Sequence, residues 1–185
     1  IYQMFKGLWY SKKQWKEMKT HANRRGLEFI CTAHFYDAVI VLEELEVNIH
    51  KICTWSATHK RLIQRIGKTG KPMLLDTGVY SETSLERTIR WYQSAGGTDV
   101  LILHDFHTGV PTEMNFRVIP RLKEISNAPV GYTPQGRESD MDFMAIGLGV
   151  NILEKRLTLD RAIPKNGHYK SLEPDEFQEW YNEVR

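Results

Sequence analysis

A lysine inside an apolar, strand-like run is an expensive placement, and Lys51 has it, within Ile49-His50-Lys51-Ile52-Cys53-Thr54. A buried ammonium needs a partner, so such a lysine either meets an anion or snorkels its head to water. Thr32, Thr54, Thr77 and Thr133 each close a similar run. Their hydroxyls can donate to a bound anion, although β-branched residues are common in strands for structural reasons alone. The carboxylates Asp76, Asp105 and Glu154 also fall at run ends, and Glu154 is followed by Lys155 and Arg156. His34, His104 and His107 complete the set. Imidazoles at neighbouring strand ends can hold a divalent metal together with Asp105 or Glu154, against the plainer reading of hydrogen-bonded or solvent-facing histidines. His21, His50 and His59 have no evident partner.

These residues have to be carried by a regular scaffold. Short apolar runs recur at residues 27–32, 49–54, 72–76, 100–104, 129–133 and 150–154, which predicts six strands. Between them lie helical periodicities: Leu62, Ile63 and Ile66; Leu85, Ile89 and Tyr92; Val118, Leu122 and Ile125. Ser81 suits an N-cap, Pro120 suits a first turn, and Gly26, Gly70 and Gly96 suit helix ends. Near-continuous apolar strands joined by helices indicate a parallel sheet covered on both faces. Polar residues collecting where strands end favour a (β/α)8 barrel, whose active sites lie at the C-terminal ends of the strands. A complete barrel needs eight units and typically ~250 residues, so six units imply an incomplete one, read as a single partial barrel domain over residues 1–185.

Composition narrows the partners. The 25 basic and 23 acidic residues leave a net charge of +2, which gives no broad field for nucleic acid or an anionic membrane. Any anion must be held locally. The most apolar stretch, residues 143–150, is far short of the ~20 residues that cross a bilayer. Cys31 and Cys53 read as two buried, reduced thiols, consistent with a cytoplasmic protein. The start at Ile1 and the unfinished helical pattern at Trp180-Tyr181 suggest part of a longer polypeptide.

The succession Phe29-Ile30-Cys31-Thr32, His50-Lys51-Ile52-Cys53-Thr54, Lys71-Pro72-Met73-Leu74-Leu75-Asp76-Thr77-Gly78 and Ala128-Pro129-Val130-Gly131-Tyr132-Thr133 resembles the sialic acid (N-acetylneuraminate) synthase family. So do Asn151-Ile152-Leu153-Glu154-Lys155-Arg156, Thr158-Leu159-Asp160-Arg161 and Ser171-Leu172-Glu173-Pro174-Asp175-Glu176-Phe177. The resemblance places the six strands at barrel positions three to eight, with the first two before Ile1 and an antifreeze-like domain after Arg185. It implies condensation of phosphoenolpyruvate with N-acetylmannosamine or a related amino-sugar acceptor, giving a nonulosonic acid and phosphate. A homodimer in the cytoplasm is also implied.

By that resemblance Thr32, Lys51, Thr54, Thr77 and Thr133 hold phosphoenolpyruvate, Lys51, Glu154 and Arg156 stand at the chemistry, and Gln135 and His168 meet the sugar. Four departures are visible. Asp76 replaces a serine, and a carboxylate beside a phosphate repels it. The two histidines that hold the family's divalent cation, manganese or magnesium, are Gln135 and Arg156 here. An arginine cannot shed its proton, so the cation is doubtful, with Arg156 itself as its substitute or His104 and His107 as relocated ligands. An acidic residue expected before His168 is Gly167, and another is replaced near Ser56, so the acceptor is expected to be a different sugar, or none. Two other readings compete: a non-catalytic family member that binds a sugar phosphate or supports another subunit, and an aldolase-type enzyme using Lys51 as a Schiff base.

Overall fold

The computed structural model describes residues 9–78, 80–106, 110–164 and 167–185. Helices and strands alternate along the chain: α1 (Lys12–Arg24), β1 (Cys31–Thr32), α2 (Tyr36–Glu44), β2 (His50–Ile52), α3 (Lys60–Gly67), β3 (Met73–Asp76), α4 (Glu82–Gln93), β4 (Val100–His104), α5 (Val118–Ser126), β5 (Val130–Tyr132), α6 (Asp140–Gly147), β6 (Ile152–Leu153) and α7 (Pro174–Val184). The expected helix ends are present. Ser81 Oγ accepts from the backbone N–H of Ser84 at 3.3 Å, and Gly26, Gly70 and Gly96 take positive φ.

The six strands form one parallel sheet in sequence order. If the sheet were flat, β2 and β6 would lie roughly 19 Å apart at ordinary strand spacing. Yet the Lys51 ammonium from β2 touches the Glu154 carboxylate just past β6. The sheet is therefore curled into an arc of an (β/α)8 barrel, incomplete in this chain as the strand count predicts. Its edge strands, β1 and β6, are two residues each, shorter than the runs that announce them.

Register sorts the residues between two faces. Lys51 is level with Leu74 and Leu74 with Leu101, while Asp76, Leu103, Gly131 and Ile152 share the next level. That set faces the inside of the arc. Gly131 is required there, because a Cβ would stand 2.3 Å from Leu103 Cδ2 and 2.8 Å from Ile152 Cβ. The alternate set, Ile52, Met73, Leu75, Ile102, Val130 and Tyr132, packs outward with Val39, Ile63, Ile66, Ile89, Ile119 and Leu122 of the helices into one buried core. Each large side chain fully buried in it contributes about 1.5–3 kcal/mol. Among the described residues no helix is long and apolar enough to cross a membrane. Cys31 and Cys53 are free but only half-buried, a correction to the fully buried thiols expected.

Candidate active site

The ladder continues past the strands: the backbone N–H of Ala33 donates to Lys51 O, that of Thr77 to Leu103 O, that of Thr133 to His104 O and that of Glu154 to Tyr132 O. These extensions fix the C-terminal mouth of the arc, where the charged residues gather. Lys51 is drawn into that mouth. Its ammonium contacts Glu154 and lies 3.5 Å from Asp76 Oδ1, with only 12% of its side chain exposed.

Asp76 is almost wholly buried, and its Oδ1 has no hydrogen bond within the described residues. Burial pushes its carboxyl up to about 7, against the opposing pull of Lys51, and the nearby Glu154 and Asp105 charges push it further. The serine-to-aspartate departure thus puts a group that still carries a proton near neutral pH beside the lysine.

The threonines divide. Thr54 and Thr133 are buried with hydroxyls that have no partner among the described residues, whereas Thr77 spends its hydroxyl on Leu103 O at 3.2 Å. Thr54 lies in the single turn Thr54–Ser56 after β2, held by the Tyr80 hydroxyl on its carbonyl at 2.7 Å. Thr32 ends β1 and is half-buried.

Arg156 does not pair with Glu154, which Lys51 has taken. Its Nη2 donates to Gln135 Oε1 at 3.3 Å, and Lys170 Nζ donates to the same oxygen at 3.2 Å. Gln135 Nε2 in turn donates to Asp105 Oδ1 at 2.9 Å. His168 is half-buried with Nδ1 2.7 Å from the Thr158 hydroxyl, and its turn, His168–Lys170, delivers Lys170 to the mouth. Lys170 is the site residue that the sequence reading passes over. Gly167, left-handed at φ 76°, starts this turn.

The positions of the family's metal ligands do not suit a divalent cation. The one oxygen that Gln135 could offer already accepts from two cations, and Arg156 brings positive charge. Nor does the structure bring together His34 and His104, the two described histidines among those considered as replacements. His104 is on the outward face, its Nε2 on Met114 O at 2.6 Å and its ring against Phe116 and Tyr132. Burial holds it below the usual histidine range. His34 lies at the β1 end with Nδ1 3.4 Å from Cys53 Sγ. His107 lies outside the described residues. Among the described residues no group of three or more His, Cys, Asp or Glu side chains could hold a metal ion. His50, which had no evident partner, is fully buried with Nε2 2.8 Å from Glu43 Oε1.

Known proteins give this geometry a context. The chain is 31% identical over 187 residues to an uncharacterized protein of Methanocaldococcus jannaschii, covering 100% of this chain and 55% of that one. It is 28% identical to N,N'-diacetyllegionaminic acid synthase of Campylobacter jejuni, over 99% of this chain and 56% of that enzyme. The chain thus spans about half the length of the curated relatives it matches. The crystal structure of the N-acetylneuraminic acid synthetase of Leptospira borgpetersenii shares the fold, with a TM-score of 0.88 at 22% identity over 95% of this chain and 62% of that one. With the family match running over residues 1–185, the chain belongs to the NeuB family.

Proposed function

We propose that this chain forms the working face of a synthase that condenses phosphoenolpyruvate with an N-acylated aldehyde sugar, N-acetylmannosamine or a relative. A carbon–carbon bond forms from C3 of phosphoenolpyruvate to the aldehyde carbon, whose oxygen becomes a hydroxyl. One water is added as the phosphate ester is lost, so the products are a nonulosonic acid and inorganic phosphate. The observation that carries this reading is Lys51, a nearly buried ammonium at the mouth of the arc, with the hydroxyls of Thr54, after β2, and Thr133, after β5, unpartnered among the described residues. A cation with hydroxyl donors is what a bound phosphate needs.

Asp76 fits beside that phosphate when protonated, since the neutral acid removes the repulsion and offers a donor. In this reading the reaction proceeds without the family's divalent cation, and Arg156 supplies fixed positive charge to the aldehyde oxygen as alkoxide character develops. A cytoplasmic homodimer goes with the same reading.

The test is phosphate release from phosphoenolpyruvate by chelator-treated protein, with a panel of N-acylated aldehyde sugars. Release that survives chelation and falls about a hundredfold or more in Arg156→His supports it. Release seen only after manganese is added contradicts the metal-free reading. Binding of phosphoenolpyruvate with no release under either condition contradicts the synthase.

A further inference from the structure

The mouth holds two cationic positions that are compensated differently. Lys51 is neutralised by Glu154, with the Asp76 carboxyl 3.5 Å away. Arg156 and Lys170 are not: among the described residues neither lies within ion-pair distance of a carboxylate, and both lean on the uncharged Gln135 Oε1. The Asp105 charge is felt at Lys170, and its Oδ1 accepts from Gln135 Nε2 at 2.9 Å. Gln135 is only 6% exposed, so the platform that converges the two cations is itself built into the protein.

Both cations keep donors in reserve. A guanidinium carries five N–H bonds and an ammonium three, and each spends one on Gln135. Arg156 Nε is buried with no partner among the described residues. Burial and then the neighbouring Arg156 charge lower the affinity of Lys170 for its proton, with Asp105 offsetting part. Two like charges held against one neutral oxygen repel, and an anion placed between them removes that cost. A planar fork beside a point charge is an arrangement suited to a carboxylate or phosphate.

We propose that Arg156 and Lys170 form a second oxyanion subsite at the barrel mouth, separate from the Lys51 pocket, that binds an ionised phosphate or carboxylate of a substrate. Which substrate carries the group rests on the synthase reading; the subsite rests on the geometry. The anion is either the far end of phosphoenolpyruvate, which carries both a phosphate and a carboxylate, or an acidic group on the acceptor sugar.

Calorimetric titration of the chelator-treated protein with inorganic phosphate tests the subsite without turnover. The expected result is a phosphate equivalent that binds to the wild type, to Lys51→Met and to Lys170→Arg, and that weakens about tenfold or more in Lys170→Met. Phosphate binding in Lys170→Met equal to the wild type, or no phosphate bound by the wild type, overturns the proposal. Competition then identifies the source. Displacement of this equivalent by phosphoenolpyruvate assigns it to that substrate, and displacement only by a phosphorylated or carboxylated sugar assigns it to the acceptor. Lys170-dependent binding in a protein that releases no phosphate from phosphoenolpyruvate would sink the synthase reading and leave the subsite standing.

Discussion

Lys51 and Lys155 are both nearly buried lysines paired with carboxylates, and they do different things. Lys155 lies between Glu154 and Arg156, whose side chains reach the mouth, but its own points the other way. Its Nζ meets Asp142 Oδ2 at 2.6 Å, with side-chain exposures of 1% and 0%. The Trp180 indole N–H donates to the same carboxylate oxygen at 2.8 Å, and Lys155 lies 5.6 Å from the centre of the Trp180 ring. This closed unit ties β6 to α6 and α7. Lys51 meets Glu154, whose side chain is 40% exposed, and Asp76, whose Oδ1 has no hydrogen bond among the described residues. One lysine is locked between elements, and the other is held where a ligand can exchange for its partners. Side-chain parity along one strand end separates structure from chemistry.

The sharpest way to break this contrast is Asp142→Ala, which leaves the Lys155 ammonium buried and unpaired. It is expected to cost about 3–5 kcal/mol of stability, read from the denaturant midpoint. A loss below about 1 kcal/mol would mean that the pair does not fasten α6 and α7.

Next in size is a pH effect confined to the mouth. The Asp76 carboxyl, at about 7 when folded, is near 3.9 when unfolded. Between those values the folded chain holds a proton that the unfolded chain has released, so stability falls as pH rises from about 4 to 7 and then levels. Asp76→Asn should remove a slope on the order of 3 kcal/mol across that window, measured by denaturation at pH 5 and pH 7.5. An unchanged slope would place the titration elsewhere.

Gly131→Ala probes the inner face below the charges. Its Cβ collides with Leu103 and Ile152, so a loss of about 1–3 kcal/mol is expected. Smallest is Trp180→Phe, which keeps the ring but removes the donor to Asp142, for roughly 1 kcal/mol in thermal or chemical unfolding. In this account neither Trp180→Phe nor Asp142→Ala, assayed where it is folded, alters phosphoenolpyruvate affinity.

Much of this arrangement was legible in the sequence, because the inner strands are buried on both faces and announce themselves as apolar runs. The run at residues 27–32 shrinks to Cys31–Thr32, since an edge strand pairs on one side only. The helix α6 was hidden by an inverted pattern: Asp142 is fully buried, while Phe143 and Met144 are exposed. A carboxylate that pairs with Lys155 cannot be told by periodicity from one that faces water. Position alone gathered Lys51, Asp76, Glu154 and Arg156 at the strand ends. It also gathered His104, which one residue of parity turns outward onto Met114 O. The turn that brings Lys170 to Gln135 depends on a loop path after β6 that no local pattern encodes.

The most direct measurement compares phosphoenolpyruvate binding by calorimetry in the wild type, Lys51→Met and Trp180→Phe, alongside the stability of each. The expected result is that Lys51→Met loses about tenfold or more in affinity while its stability stays within about 1 kcal/mol of the wild type, and that Trp180→Phe keeps the wild-type affinity. Equal affinity in the wild type and Lys51→Met would contradict the assignment of the barrel mouth as the phosphoenolpyruvate site.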